Sequence, residues 1–515
     1  MAGRPRRRQR APLSRHPAPR GYRCARSAPA QGSSARVHVL MSQDECGEET
    51  GSLLRSRFME SEEARWLSLQ RLPGERLADA AERTVREAIR GGSLRPGVRL
   101  PSSRTLALQL GVSRGVITEA YEQLAAQGYL VSRPKAAPVV ADAPRPMPRP
   151  APRCERPGRV RFDFTATTPD VSQFPVRQWA ASLATAARSM PVSAYDYGDP
   201  RGSEKFREVL AGHLGRTRGV VADPEQILGV HGTAQGIDLL LRTLRAAGAQ
   251  RVGVEDPSLP SQIDRITAHG LAARPIPIDG DGLLVDGLEV DAVLVTPAHQ
   301  FPTGVVLSGE RRRALLDWAK GASGLVLEDD YDAEFRYDRQ PVRALQGLDP
   351  EHVAYLGTTS KTLAPALRLG WMVLPAHHMP QAQRIRNLMD VCPPAVEQQA
   401  LAMMIERGDY DRHVRRARKA YRRRREQLIA ALAERLPGLR VEGIAAGMHL
   451  LLRLPADLDD AAIAARALDK GVQVAPLSQF SHSGHPGSGL VLGYGRITER
   501  DMNPAVAALA TAIRT

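Results

Sequence analysis

Apolar positions along this chain follow two patterns, separated by a proline-rich gap. Between residues 63 and 140 their spacing is helical. Leu77 to Ile89 reads as an amphipathic helix and Gly92 to Leu100 as a turn; a second helix, capped by Ser102 or Ser103, is ended by Gly111. Ser113 then caps a third helix, on which Val116, Ile117, Ala120, Tyr121 and Leu124 form the apolar stripe while Arg114 and Thr118 face outward. From Phe162-Asp163-Phe164 onward the apolar residues gather into short runs that read as buried strands, among them Ile227 to Val230, Gly324 to Glu328 and Val353 to Leu356. An amphipathic helix follows the first of these and runs to about Arg245. Leu439 to Val441 and Met448 to Leu454 read as strands of a smaller C-terminal part.

This patterning divides the 515 residues into an extension (1–62), a small helical module (63–140), a linker (141–160) and a large α/β module (161–515). A hydrophobic content of 43% is ample for two cores. Net charge is +15, but residues 1–40 hold ten arginines and no acid or lysine, which leaves about +5 for the rest. That segment lacks apolar periodicity and reads as disordered. It is a nonspecific DNA-binding arm, a transit-peptide look-alike or an upstream extension, with translation starting at Met41 or Met59; the last is the preferred expectation. Eight prolines between residues 134 and 157, interleaved with Arg145, Arg149, Arg153 and Arg156, predict an extended, semi-rigid linker. Cys24, Cys46, Cys154 and Cys392 show no paired metal spacing, so no metal site is expected and a reducing cytoplasm fits. No run has the length and apolarity of a membrane span.

Candidate chemistry sits in three places on the large module. Lys361 follows the run Val353 to Leu356, with Thr358 and Ser360 before it and Arg368 after it; hydroxyls and a guanidinium suit a phosphate. A partly desolvated lysine in a cationic neighbourhood has a depressed pKa, and its free amine adds to carbonyls. Alone, it is equally a surface lysine after a strand. Upstream, Asp329-Asp330-Tyr331-Asp332 follows the strand ending at Glu328, at the carboxyl edge where open α/β sheets place ligand groups. A carboxylate there holds a pyridine nitrogen protonated, and Tyr331 is placed for a phenolic oxygen; alone, the pair reads as a helix cap or metal ligand. Third, His231-Gly232-Thr233-Ala234 turns from a strand into a helix, whose free amides attract phosphate.

Taken in order, the turn, the Asp-x-Tyr and the lysine resemble the fold-type I, aspartate-aminotransferase-like family of pyridoxal phosphate enzymes, from about Phe162 to the C-terminus. The resemblance implies that Lys361 forms an internal aldimine with pyridoxal 5'-phosphate, Asp329 pairs with the pyridine nitrogen and Tyr331 contacts the phenolic oxygen. It implies a phosphate cup of Thr233, the Ala234 amide, Thr358, Ser360 and Arg368. Tyr197, in Tyr195-Asp196-Tyr197-Gly198-Asp199-Pro200, matches the family tyrosine that reaches the phosphate of the neighbouring subunit, which implies a homodimer.

The helical module has the helix, glycine turn, helix order of a helix-turn-helix, whose last helix enters the major groove by its N-terminus. It resembles the GntR family of winged helix-turn-helix domains, and the two modules together resemble the MocR subfamily of transcription regulators. That resemblance implies Arg104 and Arg114 at double-stranded DNA, with Ser113 and Thr118 close by, and an operator of two half-sites. Pro134 and Pro138 stand where the wing hairpin belongs, so a short or irregular wing is expected. The basic cluster from Arg412 to Arg425 reads as the solvated face of a long helix joining the two subdomains rather than as a nucleic-acid surface.

Several departures bear on catalysis. Leu259 stands where the family often has an aromatic over the ring, and Ser261 where related carboxylate-binding proteins carry an arginine. Val491 stands where aminotransferases hold a substrate carboxylate, with Arg496 nearby as a possible substitute; Phe301 replaces the amide that bonds the ring oxygen. Losing a bidentate clamp weakens substrate alignment, so cofactor binding with little turnover is expected. Three classes follow: a regulator responding to the cofactor or to an amine or amino-acid effector, an aminotransferase with an accessory head, and a DNA-binding scaffold with an empty body.

Overall fold

The computed structural model describes residues 69–133, 136–142, 160–338, 342–484 and 487–514. The expectations for the extension and for most of the linker lie outside these residues. The chain divides into two units on either side of residues 153 and 154.

The N-terminal unit packs α1 (Leu77–Arg90), α2 (Ser103–Leu110) and α3 (Arg114–Ala126) around Val85, Leu94, Leu100, Leu106, Ile117, Tyr121 and Leu124. Burying each of the larger aliphatic side chains contributes roughly 1.5–3 kcal/mol. Ser102 is the side chain that caps α2, accepting from Thr105 N at 3.1 Å, and Gly111 ends the helix at φ 65. Ser113 occupies the N-cap position of α3 but makes no capping hydrogen bond, contrary to expectation. The wing is short: β1 (Leu130–Val131) pairs with β2 (Val139–Val140), Leu130 opposite Val140. Pro138 has no N–H, yet its carbonyl accepts from Leu100 N at 2.8 Å, and Val140 N donates to Val98 O at 2.9 Å. The preceding turn thus supports the outer edge of β2.

The second unit opens with β3 (Phe162–Asp163), α4 (Val176–Ser189) and α5 (Glu204–Arg218). Then come β4 (Ile227–Val230), α6 (Thr233–Ala246), β5 (Arg251–Asp256), α7 (Pro260–Ala268), β6 (Ala272–Asp279), β7 (Gly282–Leu283) and β8 (Ala292–Val295). The alternation continues with α8 (Gly309–Ala322), β9 (Leu325–Asp330), β10 (Val353–Thr358) and β11 (Gly370–Val373). These strands form one sheet in the order β4-β11-β10-β9-β8-β5-β6-β7. Its central strands run parallel, and β11 is antiparallel to both its neighbours. One core holds Leu228, Leu240, Leu327, Leu356 and Met372 with Ala382. A second, on the other side, holds Phe206, Leu210, Tyr355, Trp371, Val373 and Leu401. Successive residues of one strand therefore enter different cores, as the pleat requires, which is why β9 and β10 read as continuous apolar runs.

The remainder is α9 (Met379–Asp390), α10 (Ala395–Glu406), the long α11 (Asp409–Arg435), β12 (Arg440–Glu442), β13 (His449–Arg453), α12 (Asp460–Asp469), β14 (Val472–Gln473), β15 (Ala475–Pro476), β16 (Gly489–Gly493) and α13 (Met502–Arg514). Antiparallel β12-β13-β16-β15 shares a core with α11 and α13, and β3 pairs with β14. Much of the basic cluster on α11 is spent inside the unit: Arg418 donates to Glu334 O, Arg424 pairs with Asp170, and Arg423 with Glu499.

Candidate functional site

Three carboxylates in a row, Glu328, Asp329 and Asp330, lie on β9, and the pleat sends them to different environments. The strand runs two residues past its sequence estimate because pairing with β10 continues through Leu356↔Asp329 and Gly357↔Asp330. Asp330 turns to one face, where Arg218 Nε pairs with it at 2.6 Å and Tyr355 Oη donates to it at 2.6 Å. Glu328, on the same face, accepts from the amides of Leu345 and Gln346. Asp329 turns to the other face and opens on a cleft that Lys361, Tyr331, Thr233, Glu255 and Phe301 also line, with a cavity volume of about 100 Å³.

Asp329 Oδ1 is shielded from solvent and has no hydrogen-bond partner. Burial raises this acid to about 7, with the Lys361 amine opposing and Asp330 and Asp332 reinforcing. Burial likewise lowers the Lys361 amine, against the pull of Asp332 and Asp329. Each group would ionise more readily if a ligand replaced the missing solvation. Glu255 is a second enclosed acid, raised to about 7 by burial although Thr296 donates to it through both N and Oγ1.

Beside this pair the backbone forms a polar cradle. Register brings Thr358, Gly370 and Val230 side by side across β10, β11 and β4. Gly232, at φ 85, leads into α6, and a Cβ there would lie 3.2 Å from the Arg368 guanidinium. Gly370 meets it from the next strand: a Cβ on Gly370 would stand 2.8 Å from Gly232 Cα, so hydrogen is what fits. Arg368 adopts φ 50 and donates to His231 O, which holds its guanidinium at the start of α6. Thr358 Oγ1 and Ser360 Oγ are 2.9 Å apart. Thr233 and Ala234 occupy the first turn of α6, where amides lack intrahelical acceptors.

Sequence reasoning missed the shelf under Tyr331. The Tyr331 hydroxyl donates to His299 O at 3.0 Å and lies 3.2 Å from His299 Nδ1, which is 3.0 Å from Asp332 Oδ2. His449 lies against His299, ring centroids 4.7 Å apart and planes tilted by 47°, and both its nitrogens, like His299 Nε2, are enclosed without a hydrogen-bond partner. Lone histidines in apolar surroundings gave no sign that the fold would bring them together. Gly447, at φ 67, leaves the room: a Cβ there would overlap the His299 ring and come within 2.6 Å of Asp332 Oδ2.

On the helical unit, Arg104, Ser113 and Arg114 are exposed, at the start of α2 and around the start of α3. Thr118 is half-buried and its hydroxyl donates to Arg114 O at 2.9 Å. Its outward face is therefore less available than its helical position implied.

Comparison with known proteins matches residues 77–140 to the family of bacterial regulatory proteins, gntR family, and residues 163–509 to aminotransferase class I and II. The HTH-type transcriptional regulator YhdI of Bacillus subtilis is 35% identical over 81% of this chain and 91% of its own length. The pyridoxine biosynthesis transcriptional regulator PdxR of Corynebacterium glutamicum is 33% identical (83% and 94%), and the probable rhizopine catabolism regulatory protein MocR of Rhizobium meliloti 32% (83% and 92%). This chain belongs to the MocR-like, GntR-type transcription regulators. An archaeal alanine:glyoxylate aminotransferase of solved structure superposes with TM-score 0.64 at 25% identity, covering 68% of this chain and 90% of that one.

This MocR-like regulator has the fold-type I body of an aminotransferase and a DNA-binding head of the GntR type. The resemblance puts an aminotransferase's carboxylate-binding arginine at position 491, which is valine in this chain. Val491 is buried in β16, packed with Phe301, Tyr331, Leu451 and Phe480. Arg496 does not substitute for it, because its guanidinium pairs with Asp163 at 2.7 Å. Leu259 lines the cleft, and Ser261 is exposed on the first turn of α7. Tyr197 is 83% exposed and is not among the residues lining the cleft around Lys361 in its own chain. Among the described residues no helix is long and apolar enough to cross a membrane.

Proposed function

We propose that this regulator holds pyridoxal 5'-phosphate on Lys361 and couples cofactor occupancy to operator binding. The observation carrying this reading is the unpartnered, shielded Oδ1 of Asp329 in the same cleft as the desolvated Lys361 amine. A protonated pyridine nitrogen supplies the donor that this oxygen lacks, and a charge-assisted bond there keeps Asp329 ionised. Thr233, the Ala234 amide, Thr358, Ser360 and Arg368 would take the phosphate, combining a helix start, hydroxyls and a guanidinium. Tyr331 would face the phenolic oxygen from its place on His299. When bound, the cofactor supplies an aldehyde carbon and an electron-withdrawing ring.

Exposed Tyr197 fits a homodimer in which each subunit completes its partner's phosphate site, and a dimer presents two heads to two half-sites. Arg104 and Arg114 would contact the duplex, with Ser113 and Thr118 beside them. Such a regulator works in the bacterial cytoplasm, on nucleoid DNA. The relative named for pyridoxine biosynthesis supports the cofactor itself as a sensed molecule. Occupancy would shift the body between two states that bind DNA differently.

The test is a pair of spectra. Wild type incubated with pyridoxal 5'-phosphate and desalted is expected to retain the visible absorbance of a lysine-linked cofactor, and Lys361→Ala to lose it. A wild type that retains none overturns the reading.

A further inference from the structure

We infer that the small molecule able to exchange with Lys361 for the cofactor is a primary amine that carries no acidic group. This rests on the cofactor reading above and specifies its ligand class.

The argument starts from the charges in the cleft. Among the described lining residues the sole cation is Lys361, which the cofactor would consume, whereas one acid, Glu255, faces the same space and a second, Asp329, would pair with the pyridine nitrogen. A carboxylate entering beside them finds no fixed countercharge and must shed its water, at a cost that a missing guanidinium does not offset. The wall that would hold it is apolar. Val491 stands with Leu451, Leu477, Phe301 and Phe480 in one buried cluster, and Phe301 is clamped edge-on by Phe480 at 5.1 Å. Arg496 is tied to Asp163 and Ser261 offers one short hydroxyl. The polar groups left on the lining, Ser258, Gln262 and Thr167, are neutral. An ammonium group, in contrast, meets Glu255, the lining acid that the cofactor leaves without a cationic partner, and an apolar substituent replaces water along the Leu259 and Phe301 side.

The exchange balances without another reactant. The incoming nitrogen bonds to the aldehyde carbon as the bond from that carbon to Lys361 Nζ breaks; the two hydrogens leaving the incoming amine end on the Lys361 amine, and no electrons change hands.

Matched pairs isolate the acid group: tyramine against tyrosine, histamine against histidine, cadaverine against lysine. Each is titrated into the cofactor-loaded, full-length protein, following the bound-cofactor absorbance. The amine of each pair is expected to half-saturate at a concentration at least tenfold below its amino acid. Equal or reversed preference overturns the inference, as does a loaded protein whose spectrum neither member alters. Loss of all cofactor absorbance before any ligand is added instead strikes the parent reading, and the two failures are thereby told apart.

Discussion

Replacing Asp329 by asparagine separates the two roles that the structure gives this acid. In the cofactor-free chain its Oδ1 is enclosed and unpartnered, and burial holds its pKa near 7, well above the carboxylate range. The sign follows from linkage. An acid whose pKa rises on folding binds its proton more tightly when folded, so its contribution falls as pH climbs from about 4, the unfolded value, toward about 7, and is least favourable above that. The ceiling for such a raise is about 4 kcal/mol, and because the residue opens on a cleft that water enters, about 1–2 kcal/mol is the expected size. Asn keeps the shape and cannot ionise. Cofactor-free Asp329→Asn should therefore melt about 2–4 °C above wild type at pH 8, with the difference shrinking as pH falls and vanishing near pH 4. The same substitution removes a charge-assisted bond to the pyridine nitrogen, worth about 1.5–3 kcal/mol, so cofactor affinity should fall roughly 10- to 100-fold. Thermal melts across pH 4–8.5 and a cofactor titration test both halves. A variant less stable than wild type at pH 8, or one that binds cofactor as tightly, refutes the reasoning.

Arg104→Ala and Arg114→Ala should each weaken operator binding and, where the contact is to phosphate, reduce the salt slope by about 1, with cofactor absorbance unchanged; equal loss of both properties would assign these residues to the fold. Gly447→Ala places a methyl group against His299 and Asp332 at φ 67 and should destabilise the body by about 2–4 kcal/mol, read as a lower melting temperature and depleted cofactor. Arg218→Met strands Asp330 without its buried partner and should cost about 3–5 kcal/mol, whereas the double substitution Arg218→Met with Asp330→Leu should recover most of it in a denaturant melt.

How much of this was visible in the sequence depends on the range of the interaction. The helix-turn-helix order, a serine cap at 102 or 103 and the stop at Gly111 are set within a few residues and are legible in the chain; the structure picks Ser102. The cradle was also legible, because glycine at 232 and the hydroxyls at 358 and 360 sit next to the elements whose ends they form. Ser113 and Thr118 show the limit of local reasoning. Both stand at suitable positions, yet one hydroxyl caps nothing and the other is occupied by the helix's own carbonyl.

The buried polar layer was not legible, since it depends on which strand lies beside which. His299 follows β8, Asp332 follows β9 and His449 begins β13, so their meeting needs the sheet order and the docking of the small subdomain together. The same holds for the division of labour along β9. Three consecutive acids look equivalent in a list of residues; the pleat alone assigns Asp330 to Arg218 and leaves Asp329 facing the lysine. A one-residue slip of β9 against β10 would exchange them, turning Asp329 toward Arg218 and bringing Asp330, with Glu328, to the cleft side. Register is therefore what sets the electrostatics of the site, and the Arg218–Asp330 pair, remote from any ligand, fixes which acid remains available for one.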